Sequence, residues 1–365
     1  MLETSLKILK KINEAGYQAY IVGGFVRDYL LGNTSQDVDI CTSATPKELR
    51  SIFSDAYLPH EEYGSVTLVL HQVRFEITTF RKELKYEHNR KPVEIRYIDS
   101  LEEDLLRRDF TINTLCMDQD GNIIDLLDGR QDLQKGIIQT VGDSTLKFTE
   151  DSLRILRAIR FATSLNFKLS DEVIAAIQTT KHFLKGLSYQ RKKDELDRIF
   201  LSPNVTYGVS LLITFGLDEI LEIPKLGSIT SFDDLMGVWA MLEVDDRYPF
   251  TKNERDLMKE IRNVYPCNVL DPMVLYQHKL YVCSVVGRLK GIDPKKIAQK
   301  YVDLPIHLRT DINITAQGIC QILNKSPGPF LKEVYVMLEE CILKGDLINQ
   351  REKIVAYLQS FSSES

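Results

Sequence analysis

The sequence has no C-x-x-C pair, no G-x-G-x-x-G turn, no Walker-type lysine loop and no long apolar run. Its six cysteines (Cys41, Cys116, Cys267, Cys283, Cys320, Cys341) are scattered and have no close histidine partner. A zinc site or a disulfide framework is therefore not expected, and a reducing compartment fits. No stretch approaches the ~18 consecutive apolar residues of a membrane span. The N-terminal MLETSLKILKKINEAG mixes charged and apolar residues, where a signal peptide needs an unbroken apolar core. The expectation is a soluble, cytoplasmic chain with no membrane partner. Positive charge is not in excess either: 46 Lys+Arg against 52 Asp+Glu leave a net charge of -6. A nucleic-acid partner then requires a local basic stripe. Fixed-period repeats and low-complexity tracts are absent, and only the terminal SFSSES reads as disordered.

What is present changes character part-way along. At 365 residues the chain is long enough for about two domains, at ~150 residues each. Leu2, Leu6, Leu9 and Ile12 have helical spacing, with Gly16 as a stop. Strand signals follow in YQAYIV (17–22), VDIC (38–41), SVTLVLHQ (65–72), VRFEITTF (73–80) and NIIDLLDG (122–129). From Glu150 helical patterns dominate, with apolar Leu153, Leu156, Ile159 and Phe161 separated by arginines and Ser170 and Ser188 placed as N-caps. Breaks are expected near 201–204, 223–228, 265–268 and 326–329. The fold class expected is α+β: an N-terminal mixed sheet with helices, then a long all-α extension.

The most informative segment is YIVGGFVRDYLLGNTSQDVDICTSA (20–44). Asp37 and Asp39 are two apart in a β-like run, which places both carboxylates on one face. Two hard oxygen ligands suit Mg²⁺, which takes one or two carboxylates and completes its shell with water and substrate phosphate. Gly23-Gly24 between a strand and a helix lets backbone approach a phosphate closely. Arg27 lies one turn into that helix, within reach of a triphosphate, and Asp28 beside it can orient Arg27 or meet a ribose hydroxyl. Glu76, on a later strand, completes a metal site or activates a hydroxyl. Taken singly, a D-x-D is usually a turn or a solvated edge, and a glycine pair a tight turn. Their combination describes nucleotidyl transfer.

These residues resemble the nucleotidyltransferase signature of the DNA polymerase β superfamily. They are most similar to class II tRNA nucleotidyltransferases (CCA-adding enzymes) and bacterial poly(A) polymerases. LEEDLLRRDFTINTLCMD (101–118), DLLDGRQDL (125–133), TEDSLRILRAIRFATSLNF (149–167) and RKKDELDRIF (191–200) extend the likeness in the same order over the first ~200 residues. INITAQGICQIL and SPGPFLKEVYVMLEECILKGDLIN resemble the tail that holds tRNA. The resemblance implies template-independent addition of C, C and A to the tRNA 3′ end from CTP and ATP, with release of pyrophosphate. It also implies a catalytic head at 1–139, a base-reading neck at 140–204, a body at 205–300 and a tRNA-contacting tail at 301–365. Asp37 and Asp39 become the Mg²⁺ ligands, Glu76 their helper, and Gly24, Arg27 and Arg108 contacts to the nucleotide's phosphates or sugar. Asp109 and Asn113 lie nearby as orienting and polar groups.

With no template, side chains must read the base. Cytosine and adenine both offer an amine donor beside a ring-nitrogen acceptor; uracil and guanine reverse this pattern. An Asp that accepts and an Arg that donates reads the first pair and opposes the second. Glu150, Asp151 and Arg154 match the family's E-D-x-x-R, with Asp151 and Arg154 at i and i+3 on one expected helix. Arg157 and Arg160 continue the spacing as further nucleotide contacts. On an isolated helix the same residues would be a surface ion pair among solvated arginines. Without the family, Arg107-Arg108-Asp109-Phe110 reads as a capped helix start with two exposed cations. Residues 78–92 read as a mobile, solvated loop; the family has there a flexible segment associated with the final A addition, and its presence argues against a CC-only enzyme. A basic track for tRNA is sketched by Lys181, Lys185, Arg191, Lys192 and Lys193, then Arg288, Lys290, Lys295, Lys296 and Lys300. Gln190 stands where the family commonly has an acid that buttresses the base-reading helix, although Arg191 and Glu195 remain. The alternatives are an A-adding or CC-adding enzyme, a poly(A) polymerase, or a non-catalytic tRNA-binding module. Oligomeric state is left open, with a homodimer one option.

Overall fold

A computed structural model describes residues 1–365 except 36, 55–56, 61–63, 71–72, 88–90, 230–232 and 363–365, and gives side chains outside 57–60, 83–87, 91–94 and 361–362. The chain divides into two units, Met1–Gly227 and Ser228–Ser365.

In the first unit α1 (Leu2–Glu14) buries Ile8, Leu9 and Ile12 and ends where Gly16 takes φ +94°. The chain then enters β1 (Ala19–Val22), turns at Gly23 into α2 (Gly24–Leu30) and returns as β2 (Val38–Thr42). Thr45 and Glu48 form a reciprocal capping box that starts α3 (Pro46–Ile52). Strands β3 (Tyr57–His60), β4 (Ser65–Leu70) and β5 (Val73–Thr79) follow. A hairpin of β6 (Arg81–Glu87) and β7 (Lys91–Tyr97) stands apart from the main sheet. The segment 78–92, expected as a loop, is thus largely paired backbone; its residues 88–90 lie outside the described residues.

After α4 (Leu101–Leu106) come two short strands, β8 (Cys116–Met117) and β9 (Ile123–Ile124). The sheet runs β3-β4-β5-β2-β1-β8-β9, with β2 and β5 parallel and the other pairs antiparallel. Expected strand 122–129 is reduced to two residues, because Asp125 turns the chain. Its carboxylate accepts the amides of Gly129 and Arg130 at 2.9 Å each and starts α5 (Gly129–Lys135). Beneath the sheet Val22, Cys41 and Cys116 pack with Phe80, Leu101 and Leu105, all buried.

A two-stranded parallel ladder of β10 (Ile137–Ile138) and β11 (Lys168–Leu169) brackets α6 (Ser144–Glu150) and α7 (Leu153–Leu165). Helices α8 (Asp171–Thr180), α9 (Tyr189–Phe200), α10 (Val205–Thr214) and α11 (Leu217–Leu221) complete the unit. Ser170 caps α8 by accepting the Val173 amide; Ser188 occupies the N-cap of α9 without a side-chain bond. α7 packs on α9 and α10.

The second unit is helical: α12 (Leu235–Leu242), α13 (Lys252–Val264), α14 (Pro272–Leu289), α15 (Pro294–Val302), α16 (Ala316–Leu323), α17 (Phe330–Lys344) and α18 (Arg351–Ser362). Buried Trp239 packs against Tyr248 and Phe250, with ring centroids 5.2 and 5.3 Å away. Among the described residues no helix is long and apolar enough to cross a membrane.

Candidate active site

Gly23 sits at φ +81°, a conformation that side-chain-bearing residues rarely adopt, and its amide donates to the Leu115 carbonyl at 3.2 Å. A Cβ built on it would lie 3.7 Å from Arg108 Nη1 and 3.8 Å from Asp39 Oδ2. One on Gly24 would lie 3.6 Å from Arg27 Nη2. The glycine turn is therefore the floor of a recess walled by Arg27, Arg108 and Asp39.

Asp39 and Glu76 are register partners on the parallel strands β2 and β5, so both side chains leave the same face of the sheet. Asp37 lies one residue ahead of β2 and is exposed. Asp37 itself is outside the ladder of β2, which begins at Val38. It is nonetheless close enough to act on Asp39. Although Asp39 has an exposed surface, its recess removes part of its hydration, and this pushes the carboxyl pKa up. The neighbouring charges of Glu76 and Asp37 raise it further, and Arg108 opposes them.

Among the described residues no group of three or more His, Cys, Asp or Glu side chains is placed to hold a metal ion by itself. The donor set is a pair of crowded carboxylates beside a glycine floor. That fits a hard cation which takes its remaining oxygens from water and phosphate.

Arg27 is buried, and its guanidinium is fixed on two sides. Nε donates to Asp28 Oδ1 at 2.9 Å and Nη1 to Asn113 Oδ1 at 2.7 Å. Asn113 donates in turn to Asp109 Oδ1 at 3.2 Å. Arg108 is held from behind by Asp104, which is fully buried and also accepts from Arg107 Nε at 2.9 Å and the Arg81 amide at 3.1 Å. Burial opposes the Arg108 charge, but the carboxylates of Asp104 and Asp39 beside it hold its pKa above the ordinary arginine value. Arg107 and Arg108 close the end of α4 and do not open a helix. The reading of a helix start with two exposed cations is therefore wrong, because Asp104 draws both guanidinia inward.

The joint between α6 and α7 departs from expectation as well. Asp151 is not on α7: it adopts φ -142°, ψ 103° at the end of α6. It accepts the Leu153 amide at 3.1 Å and Arg191 Nη2 at 2.9 Å. Arg154 Nη1 donates to Glu150 at 2.7 Å and to the Lys147 carbonyl at 3.0 Å, and Nη2 to the Arg107 carbonyl at 3.3 Å. The i, i+3 helical pairing of Asp151 with Arg154 is thus replaced by a break, and Arg154 caps the carbonyl ends of α6 and α4. Cations at helix C-termini are favoured there.

Arg157 Nε donates to Asp109 Oδ2 at 2.7 Å, and Arg160 Nε lies 2.7 Å from Glu195 Oε2. Burial alone would raise the Asp109 pKa; Arg157, Asn113 and the Phe110 amide overcome it and bring it down to about 2. The Arg157 pKa rises, mainly through Asp109. Burial pulls Arg160 down to about 10 against the pull of Glu195, which leaves it cationic at neutral pH. Gln190, in the position commonly acidic, donates to Asp194 at 2.7 Å, while Arg191 pairs with Asp151 ahead of α7 and Glu195 meets Arg160 on α7. Sequence reasoning missed Asp104 as the buried counter-charge of Arg107 and Arg108 and found Glu195 only through the family's buttress. The surplus of arginines around them was the available signal.

Several of the basic residues assigned to tRNA are engaged within their own unit. Lys192 is 1% exposed, so it belongs to the packing of α9 and not to a surface. Lys181 donates to the Phe215 carbonyl, Lys193 pairs with Asp197, and Arg288 pairs with Asp234. Lys185 is exposed in the first unit, as are Lys290, Lys295, Lys296 and Lys300 in the second.

Residues 19–139 match the family described as the poly A polymerase head domain, 166–226 the probable RNA- and SrmB-binding site of polymerase A, and 268–358 tRNA nucleotidyltransferase domain 2 (putative). A CCA-adding enzyme of Ligilactobacillus salivarius is 34% identical, over 96% of this chain and 94% of its own. The chain belongs to the CCA-adding enzyme family of tRNA nucleotidyltransferases. The CCA-adding enzyme of Streptococcus uberis is likewise 34% identical, over 98% of this chain and 96% of its own. A crystal structure of the Bacillus stearothermophilus CCA-adding enzyme in complex with CTP superposes with TM-score 0.87 at 27% identity, covering 99% and 97% of the two chains. The Thermotoga maritima CCA-adding enzyme complexed with tRNA-CCA shares the fold at 20% identity and TM-score 0.72, covering 98% and 95%. Nucleotidyltransferases of this family generally use a divalent metal.

Proposed function

We propose that the protein adds C, C and A to the 3′ end of tRNA without a template, taking CTP and ATP and releasing pyrophosphate, in the cytoplasm. The observation that carries this reading is the placement of Asp39 and Glu76 side by side at a positive-φ glycine floor walled by Arg27 and Arg108. Asp37 and Asp39 are the ligands we assign to Mg²⁺, with Glu76 supporting them. Bound there, Mg²⁺ supplies Lewis-acid activation of the tRNA 3′-hydroxyl and offsets charge on the departing pyrophosphate.

The protein's own part is to bind and orient. Gly24 admits the triphosphate close to backbone, and Arg27, locked by Asp28 and Asn113, holds it in one position. Arg108, backed by Asp104, faces the same recess. On the neck, Asp151 accepts from the base amine while Arg154 donates to the ring nitrogen. The break that separates them along the chain calls for a local rearrangement of Arg154 away from its helix-capping carbonyls when a base enters. Arg157 and Arg160 line the same approach. In this reading residues 1–139 form the catalytic head, 140–204 the neck, 205–300 the body and 301–365 the tail that meets tRNA.

The test is extension of a tRNA transcript lacking its last three nucleotides, with Mg²⁺ and resolution of single-nucleotide products. Two additions with CTP alone and a third only when ATP is supplied are expected. A stop after CC with both nucleotides present, growth only from a CC-ended tRNA, or long ATP-driven tails would replace the reading with a CC-adding, A-adding or poly(A)-forming enzyme. Binding without extension would leave a non-catalytic module.

A further inference from the structure

Three arginines of the first unit converge on one apolar side chain. Phe161, on α7, is 7% exposed. The guanidinium carbons of Arg160, Arg27 and Arg157 lie 4.2, 5.2 and 5.4 Å from its ring centroid. Phe110 meets the ring edge-on, with centroids 5.7 Å apart and planes at 78°. The face of an aromatic ring carries negative electrostatic potential and attracts a cation within ~6 Å, more strongly as water is excluded.

Like charges gathered this closely repel, and each arginine here has its own acid: Asp28 for Arg27, Asp109 for Arg157 and Glu195 for Arg160. The acids set charge balance, and the ring sets position. Arg27 comes from α2 at the glycine turn, whereas Arg157 and Arg160 come from α7. The ring is therefore the shared surface on which cations from the two ends of the recess meet. An aliphatic side chain of similar volume fills the same space but offers no such surface.

We propose that Phe161 is a positioning residue that fixes the spacing between Arg27 and the Arg157–Arg160 pair, and so fits the recess to a nucleoside triphosphate. It acts through the arginines and does not touch the nucleotide. The inference rests on the assignment of those three arginines to the nucleotide.

The test is calorimetric binding of CTP with Mg²⁺ and no tRNA, for the unaltered protein, Phe161→Leu and Phe161→Tyr, each first shown to be folded by thermal melting. Leu keeps apolar bulk, and Tyr keeps the ring. Phe161→Leu is expected to weaken CTP binding about tenfold, with Phe161→Tyr within about threefold of the unaltered protein. In tRNA extension the Leu variant should raise KM for CTP by a similar factor with a smaller change in kcat. Equal weakening by Leu and Tyr, or none by either, overturns the proposal. If Phe161→Leu folds poorly, Phe161→Met supplies flexible apolar volume without a ring, and the same outcomes decide. Binding is read without turnover, so this proposal can fail while the unaltered protein still extends tRNA. Failure of the CCA-adding reading shows instead as no extension by the unaltered protein.

Discussion

The strand edge at β2 and β5 and the joint between α6, α7 and α9 handle charge in opposite ways. At the edge, Asp39 and Glu76 are set side by side, and the crowding raises the Asp39 pKa; among the described residues no cation forms an ion pair with either. At the joint, Asp109, Asp151 and Glu195 are each matched to an arginine within 2.9 Å, and the Asp109 pKa falls to about 2. The difference separates two tasks. In the proposed reaction the unbalanced site is the one that recruits a divalent cation with its phosphates. The balanced site holds Arg157 and Arg160 in preset directions against Asp109 and Glu195.

The sharpest way to break this contrast is at the edge. Asp39→Ala or Asp37→Ala should lower tRNA extension by about a thousandfold or more while tRNA binding persists, as gel-shift titration would show. Retained extension would remove the recruiting role. At the joint the larger effect should be on stability. Asp109→Ala leaves partly buried Arg157 with only Glu195, 4.0 Å away, and should cost about 3 kcal/mol in urea unfolding.

Acid sharpens the same point. The Asp109 carboxyl titrates lower in the folded chain than in the unfolded one, so its contribution is fully present above the ordinary value of 3.8. It is lost as pH falls towards about 2 and amounts to about 2 kcal/mol. Unfolding midpoints of the unaltered protein and Asp109→Asn should therefore converge across that window. Arg191→Met should free Asp151 and raise UTP misincorporation about tenfold, read by the extension assay. The smallest effect runs the other way: Asp39→Asn relieves like-charge crowding and should raise stability by only a few tenths of a kcal/mol at neutral pH, since solvent screens the exposed group.

Much of the edge was legible in the sequence, because its information is local. Strand periodicity and a glycine pair place Asp39, Glu76 and Arg27 without reference to distant residues. Asp37 lies just outside the strand, since β2 begins at Val38, as the VDIC signal has it. The joint was less legible because its geometry depends on partners far along the chain. The run EDSLRILR has an unbroken helical pattern, yet the helix stops at Glu150. Arg154 satisfies the carbonyls of Lys147 and Arg107, and Asp151 is drawn to Arg191 on α9. Lys192 reads as one more surface cation beside Arg191 and Lys193, but it is buried together with Glu195, Leu196 and Ile199 of α9. Arg107 and Arg108 misled for the same reason: a single buried carboxylate, Asp104, sets their direction.

The measurement that tests the contrast most directly is calorimetric titration of Mg²⁺ into the protein saturated with CTP, compared with Asp39→Asn. Asp39→Asn keeps size and polarity and removes the charge. The account predicts a saturable Mg²⁺ site in the unaltered protein that is lost or weakened at least about tenfold in the variant, with thermal stability unchanged or slightly higher. Equal Mg²⁺ affinity in the two proteins would contradict it.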